Sequence, residues 1–339
     1  MNQTDARTAL EDQEFSWLEN AIPIGQGNIK LVPKQGANVA TLTSGLGTMF
    51  GHTLKLGGAE IPVLICFALD GAAFQVRLDT FVVTTVGGVG TFSSNATART
   101  ASWQDTPILI VDPTKGYFSW DGTTLTTIDA TKKATDIAVF EGRAWLVTAP
   151  RTITFTSPNT NNDFNPANGS GSVTISDSAF TGNIARLLSA LEQLWIVGNS
   201  AVNAITNVST TGTPLTTTFS LTNIVSNVGS PYPSSVNAFF RTFIFLNHYG
   251  VYAIVGATPQ KLSDKLDGLF NVLNLAGADN PSATFALYDI FHWACLVTLV
   301  DPFFRGNLPV LLMFSQGKWF IARQGDTSNP LQAVCRCCD

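Results

Sequence analysis

DIAVFEGRAWLVTAPRTITFT, residues 136–156, decides the fold. DIAVF is a short apolar run, a turn follows, EGRAWLV is a second run, and RTITFT is a third extended one. The arrangement returns about fifty residues on as RLLSAL, EQLWIVG and AVNAIT, and again as VNAFF, RTFIFLN and VYAIV. A partial fourth copy is FHWACLV, so that Trp145, Trp195, Phe245 and Cys295 occupy equivalent places. Strand runs grouped three or four to a unit and recurring at that spacing are the pattern of propeller blades.

Working outward, IPVLICFAL, AAFQVRL and FVVTTV (61–86) form a first blade. PILIVDP and KGYFSWDGTTLTTID form a second, and Asp121-Gly122 between alternating runs is a strong hairpin signal. The third blade spans 134–156, the fourth 185–222 with the Thr-rich run PLTTTFSLT, the fifth 235–262 and the sixth 283–323. The fold class is therefore all-β: a β-propeller of six antiparallel blades with an extended N-terminal arm. A seventh blade forms if an N-terminal strand pairs with the C-terminal ones, because closure removes exposed edges. The expected division is an arm at 1–50, the propeller at 51–325 and a C-terminal tail at 326–339.

EFSWLENAIPIGQGNIKLVPKQG (14–36) alternates small apolar clusters with Pro23, Gly25, Gly27, Pro33 and Gly36. Such punctuation predicts an extended segment that docks by Phe15, Trp17, Ile22, Ile29 and Val32, of which the first four are the candidate assembly contacts. SPNTNNDFNPANGSGS (157–172) is the longest polar loop and is expected to be the most mobile. KLSDKLDGLFNVLNLAG (261–277) is the one stretch that reads as a short amphipathic helix.

Charged residues make up 13% of the 339, and the formal net charge is -5. Gripping DNA needs clustered Lys and Arg, so this balance argues against a DNA-binding face. It is compatible with a weakly acidic wall past which DNA slides. The first fifteen residues lack the basic-then-apolar pattern of a secretion signal. The longest apolar run, near 290–300, is too short to span a bilayer and reads as a buried strand. Cys66 and Cys295 sit in strand runs, while Cys335, Cys337 and Cys338 crowd the end, so no disulfide framework is indicated and a reducing compartment is favoured.

No motif points to a metal, a cofactor or catalysis. His52, His248 and His292 lack partners at ligand spacing, and CRCC (335–338) lacks a second ligand pair. TTVGGVGTF (84–92) is followed by a polar extended run, so it reads as a glycine turn between strands and not as a phosphate loop. Asp70, Asp105, Asp112 and Glu141 could furnish a glycosidase carboxylate pair, yet each falls at a predicted turn, where acids are ordinary turn formers. Trp120-Asp121 occurs once, with its Gly51-His52 companion far outside one repeat, so it is no tryptophan–aspartate signature. The Trp and Phe residues at strand positions read as core fillers.

Three stretches resemble the propeller proteins that form the tail hub or nozzle beneath the portal of short-tailed bacteriophages. They are FSWLENAIPIGQGNIKLVPKQG, the YFSWDGTTLT hairpin, and VNAFFRTFIFLNHYGVYAIVGATPQKLSDKLDGLF. The resemblance implies a non-enzymatic virion protein, assembled in the bacterial host cytoplasm without a membrane anchor. It implies six copies in a ring below the portal and adaptor, with double-stranded DNA passing through the channel without specific binding. Loops facing such a channel are expected to carry few Lys or Arg. The competing reading is a carbohydrate-binding or glycan-cleaving propeller used in surface attachment, which needs aromatic and acidic side chains gathered at one mouth of the ring.

Overall fold

The computed structural model describes residues 21–25, 28–31, 40–104, 106–239, 242–270, 273–274, 284–286, 292–301, 306–315 and 317–322. Two compact units are present, one built on Val39–Ser230 and the other on Pro231–Arg336 with Met1–Asn38. The described chain opens on an antiparallel hairpin of β1 (Ala21–Gly25) and β2 (Asn28–Leu31).

The Val39–Ser230 unit holds four sheets of four strands, each an antiparallel meander in chain order. Blade 1 is β3 (Leu46–Leu56), β4 (Ala59–Ala68), β5 (Ala73–Arg77) and β6 (Val83–Gly87). Blade 2 is β7 (Arg99–Ser102), β8 (Ile108–Asp112), β9 (Gly116–Trp120) and β10 (Leu125–Asp129). Blade 3 is β11 (Ile137–Phe140), β12 (Arg143–Ala149), β13 (Thr152–Phe155) and β14 (Gly171–Thr174). Blade 4 is β15 (Ile184–Ala190), β16 (Gln193–Gly198), β17 (Val202–Thr211) and β18 (Thr216–Val225).

Side-chain alternation explains why these sheets stack. On β8, Ile108 and Ile110 join Ile65, Phe67 and Trp120 in one core, whereas Leu109 and Val111 join Ala144 and Leu146 in the next. On β12, Ala144 and Leu146 turn that way, while Trp145 and Val147 pack with Ile196 and Ile205 of blade 4. Middle strands thus bury both faces and read as continuous apolar runs, whereas outer strands such as β14 alternate between half-buried and exposed. Each such aliphatic or aromatic side chain is worth about 1.5–3 kcal/mol when fully buried.

The other unit holds blade 5: β19 (Asn237–Phe239), β20 (Thr242–Asn247), β21 (Gly250–Val255) and β22 (Thr258–Lys261). A short 3-10 turn (Asp264–Leu266) and α1 (Asp267–Phe270) follow. The helix expected over 261–277 therefore shrinks to single turns, with β23 (Leu273–Asn274) already extended. Gly268 inside that short run and Asn271 just after it are weak helix formers, which is a sufficient local reason.

Among the described residues five sheets have the four-stranded pattern, against six or seven expected. Where the sixth blade was expected, the sheet has five strands of another kind. The ten-residue β25 (His292–Asp301) and β26 (Gly306–Ser315) form one long hairpin, followed by β27 (Lys318–Ala322). β25 is too long for one short first strand to cover. β23 pairs with it near Leu299, and β24 (Thr284–Ala286) pairs with it separately near Cys295.

Two further expectations change. β3 begins at Leu46, so blade structure starts inside the segment expected as an arm. The loop 157–172 is tied down at many points. Asn159 N–H donates to Gly142 O at 2.7 Å, Ser157 N–H to Asp163 O at 2.8 Å and Tyr117 OH to Asn161 O at 2.8 Å. Arg143 reaches its far end, donating from Nη1 to Thr156 O at 2.6 Å and to Gly169 O at 2.9 Å. The loop's backbone groups bond to neighbouring strands, while Asp163 accepts from Asn165 N–H and Asn168 Nδ2 within the loop. The tail expected at 326–339 lies outside the described residues.

Candidate functional site

The first strands of the four blades lie side by side: β3 against β7, β7 against β11, and β11 against β15. This converging edge carries a seam of polar side chains. His52 of β3 sits between two hydroxyls of β7, with Nε2 2.7 Å from Thr100 Oγ1 and Nδ1 2.8 Å from Ser102 Oγ. Burial pushes His52 down to about 4, so the ring is neutral at pH 7. Next along β7, the Arg99 guanidinium lies 5.9 Å over the Phe50 ring, with Nε 4.0 Å from Asp136 Oδ1.

Asp136 stands immediately before β11 and is fully buried. It accepts Arg186 Nη1 at 2.8 Å on Oδ1 and the Leu187 N–H at 2.6 Å on Oδ2, both from β15. One carboxylate therefore ties blade 3 to blade 4 and faces the Arg99 cation of blade 2. Burial, followed by repulsion from Arg186, lowers Arg99 to about 10 despite the attraction of Asp136. Arg99 remains a cation at neutral pH. Chemically this is a clamp in which Arg99, Asp136 and Arg186 face one another, while the neutral His52 ring is held by the Thr100 and Ser102 hydroxyls.

Arg99 and Arg186 both lie on converging strands within one chain. Arg99 is buried and the Arg186 side chain is 21% exposed, so the positive charge is largely withdrawn from solvent. Sequence reading missed this cluster, although a signal existed. Asp136 and Arg186 lie one repeat apart, at equivalent positions, and carry opposite charges.

The candidate acids stand where turns need them. Asp70 accepts Ser44 Oγ at 2.5 Å and the Ala72 N–H at 3.0 Å. Asp112 is buried at the β8–β9 turn, and burial alone would raise its carboxyl. Hydrogen bonds from Ser93 and Thr114 outweigh that and hold it below the usual range. Glu141 occupies the β11–β12 turn with φ 47°, and Asp105 lies outside the described residues. Asp70, Asp112 and Glu141 each belong to a different blade's turn among the described residues. The GGVG turn follows β6 and crosses Gly71, where an added Cβ would fall 2.3 Å from Phe92 O. Trp120 is buried and donates Nε1–H to Gln75 Oε1 at 2.7 Å, so it is a core filler between blades 1 and 2.

Of the candidate assembly contacts, Ile22 lies on β1, paired with Lys30, and Ile29 lies on β2, paired with Pro23. The hairpin brings these two onto adjacent strands. Phe15, Trp17 and Val32 lie outside the described residues. Among the described residues no group of three or more His, Cys, Asp or Glu is placed to hold a metal, and no helix is long and apolar enough to cross a membrane.

No family model and no curated protein matches the sequence. Among solved structures the chain is similar to the β-propeller domain of Cps50 (Swd1) from Myceliophteria thermophila, at 8% identity and a TM-score of 0.52, covering 87% of this chain and 90% of that one. It also aligns with BamB from Moraxella catarrhalis at 11% identity and a TM-score of 0.43, over 85% of this chain and 92% of that one, a likeness too slight to argue from. The meander sheets, the face-to-face cores and the first of these likenesses establish the fold: this is an all-β chain of the β-propeller type.

Proposed function

We propose that this chain is a non-enzymatic component of a bacteriophage tail, a rigid propeller whose copies assemble into the hub or nozzle ring through which DNA leaves. The observation that carries the reading is the seam of His52, Arg99, Asp136 and Arg186 on the converging strands. Ionisable groups on this edge, where propeller enzymes gather catalytic acids, are here committed to holding blades together. Stiffness is the property such a seam supplies. The resemblance of the N-terminal, Asp-Gly-Thr and late-blade stretches to tail proteins supplies the context. Assembly rests on the N-terminal segment, whose aromatic residues Phe15 and Trp17 bury in a neighbouring copy or tail protein.

The test removes residues 1–20 and spares β1, which lies beside β27 and has Ala21 buried. The truncated chain keeps its circular-dichroism spectrum and urea midpoint but enters purified particles at least about tenfold less than the full chain, as one lost anchor predicts. Equal incorporation of the two chains would refute the proposal, as would absence of the full chain from particles.

A further inference from the structure

Residues 193–240 contain no Asp, Glu, Lys, Arg or His, and β18, the outer strand of blade 4, lies within them. Ten residues long, it is about twice the length of the outer strands β6, β10 and β14. Outer strands are normally protected by shortness, charge or proline. β10 ends in Asp129, and β22 contains Pro259 and Lys261, whereas β18, TTTFSLTNIV, has none of these defences. Its backbone hydrogen bonds run to β17, and among the described residues its other edge carries none between Thr217 and Val225.

The strand is held firmly as a template. Phe219 packs on Trp145 and Phe155 of blade 3, with ring centroids 6.0 and 5.9 Å away. Arg143 Nη2 donates to Thr217 Oγ1 at 2.8 Å, and Asn223 Nδ2 donates to Asp177 Oδ2. On the opposite face Thr218, Ser220 and Thr222 are exposed.

We infer that the free edge of β18 pairs antiparallel with β18 of a second copy, about a two-fold axis through Ser220. The sequence around that residue is self-complementary. In this register Ser220 meets Ser220, Thr218 meets Thr222 and Phe219 meets Leu221. Hydroxyls face hydroxyls, which donate and accept equally well, and apolar side chains face apolar ones. β18 itself carries no charged side chain, so its pairing with a second β18 sets no like charges directly opposite each other. An isologous contact of this kind closes on itself and gives a dimer, not a fibre. The inference stands apart from the tail reading.

Sedimentation velocity of the full chain between about 1 and 500 µM, a range suited to a small interface, provides the test. A concentration-dependent dimer is expected. Ser220→Lys sets two ammonium groups opposite each other across the axis and raises the dissociation constant at least about tenfold. Thr126→Lys, on the outer strand of blade 2, leaves it unchanged. Both positions are exposed, and unchanged thermal melts confirm that the variants fold. Ser220→Cys, oxidised with copper–phenanthroline, gives a cross-linked peptide joining position 220 to itself, identified by mass spectrometry apart from links through the native cysteines. A chain that stays monomeric at every concentration overturns the inference. A dimer that tolerates Ser220→Lys, or that yields no link between the two 220 positions, overturns it equally.

Discussion

Single side chains hold this protein together across its blades. Arg143 is 1% exposed and makes no ion pair among the described residues; its guanidinium donates to Thr156 O, Gly169 O, Thr210 Oγ1 and Thr217 Oγ1 and lies 5.6 Å from the centroid of the Phe155 ring. Asp136 is the converse, one buried anion facing two cations. Removing its charge by Asp136→Asn leaves Arg99 and Arg186 uncompensated, and breaking a buried pair this way costs about 3–5 kcal/mol. The 21% exposure of Arg186 screens part of that, so the expected loss is about 3 kcal/mol, read as a lowered urea midpoint at pH 7. Restoring neutrality with Arg186→Met in the same chain should recover part of it. His52 sets a pH dependence. Its folded value of about 4 lies below the ordinary 6.5, so between these the unfolded chain binds a proton that the folded one does not. Stability should be full above about pH 6.5 and fall as pH drops toward 4, by at most about 1.4 kcal/mol per pH unit. Subtracting the profile of His52→Gln isolates this slope from that of the carboxylates. A slope between pH 4 and 6.5 identical in the two proteins would remove His52 from the account.

At the scale of elements, the hairpin turns repeat one solution with different residues. β3 and β4 join through Gly57 and Gly58, with φ of 59° and 86°, the doubly left-handed turn that matches strand twist. β11 and β12 join through Glu141 and Gly142, with φ of 47° and 62°. β15 and β16 use Leu191 and Glu192, with φ of 56° and 60°, so neither residue is suited to the turn. Glu192→Gly relieves that strain and should stabilise the protein by about 0.5–1 kcal/mol, raising the melting temperature by about 1–4 °C. A lower melting temperature would show that the Glu192 side chain does something the backbone argument omits. Trp145 and Trp195 confirm that these two hairpins are copies. Each donates its indole N–H, at 3.0 Å, to the carbonyl five residues back, Phe140 and Ala190.

At the scale of the whole molecule, the two proposals place function at edges and ends. Faces of the sheets are consumed in stacking, and the converging strands are locked by the Asp136 seam. The proposals rest on the N-terminal segment, whose removal tests the tail reading, and on the edge of β18, whose substitution tests self-pairing. The two tests read different outcomes, incorporation into particles and mass in solution, so one can fail while the other stands.

The residues by themselves determined the fifty-residue repeat and most strands of the five blades, whereas β3, β7 and β14 fell outside the blades that the sequence marked. Pairing within a blade joins neighbours in sequence and requires only alternation and a turn, as in IAVF, RAWLVTA and TITF. Tertiary structure decided the rest. That Asp136 meets Arg186, that Arg143 pins the 157–172 loop and that β25 takes two short partners in place of one are contacts between segments distant in sequence. They depend on how one sheet is rotated against the next. Local periodicity carries no record of that rotation, which is set only when apolar faces on both sides of each middle strand pack at once.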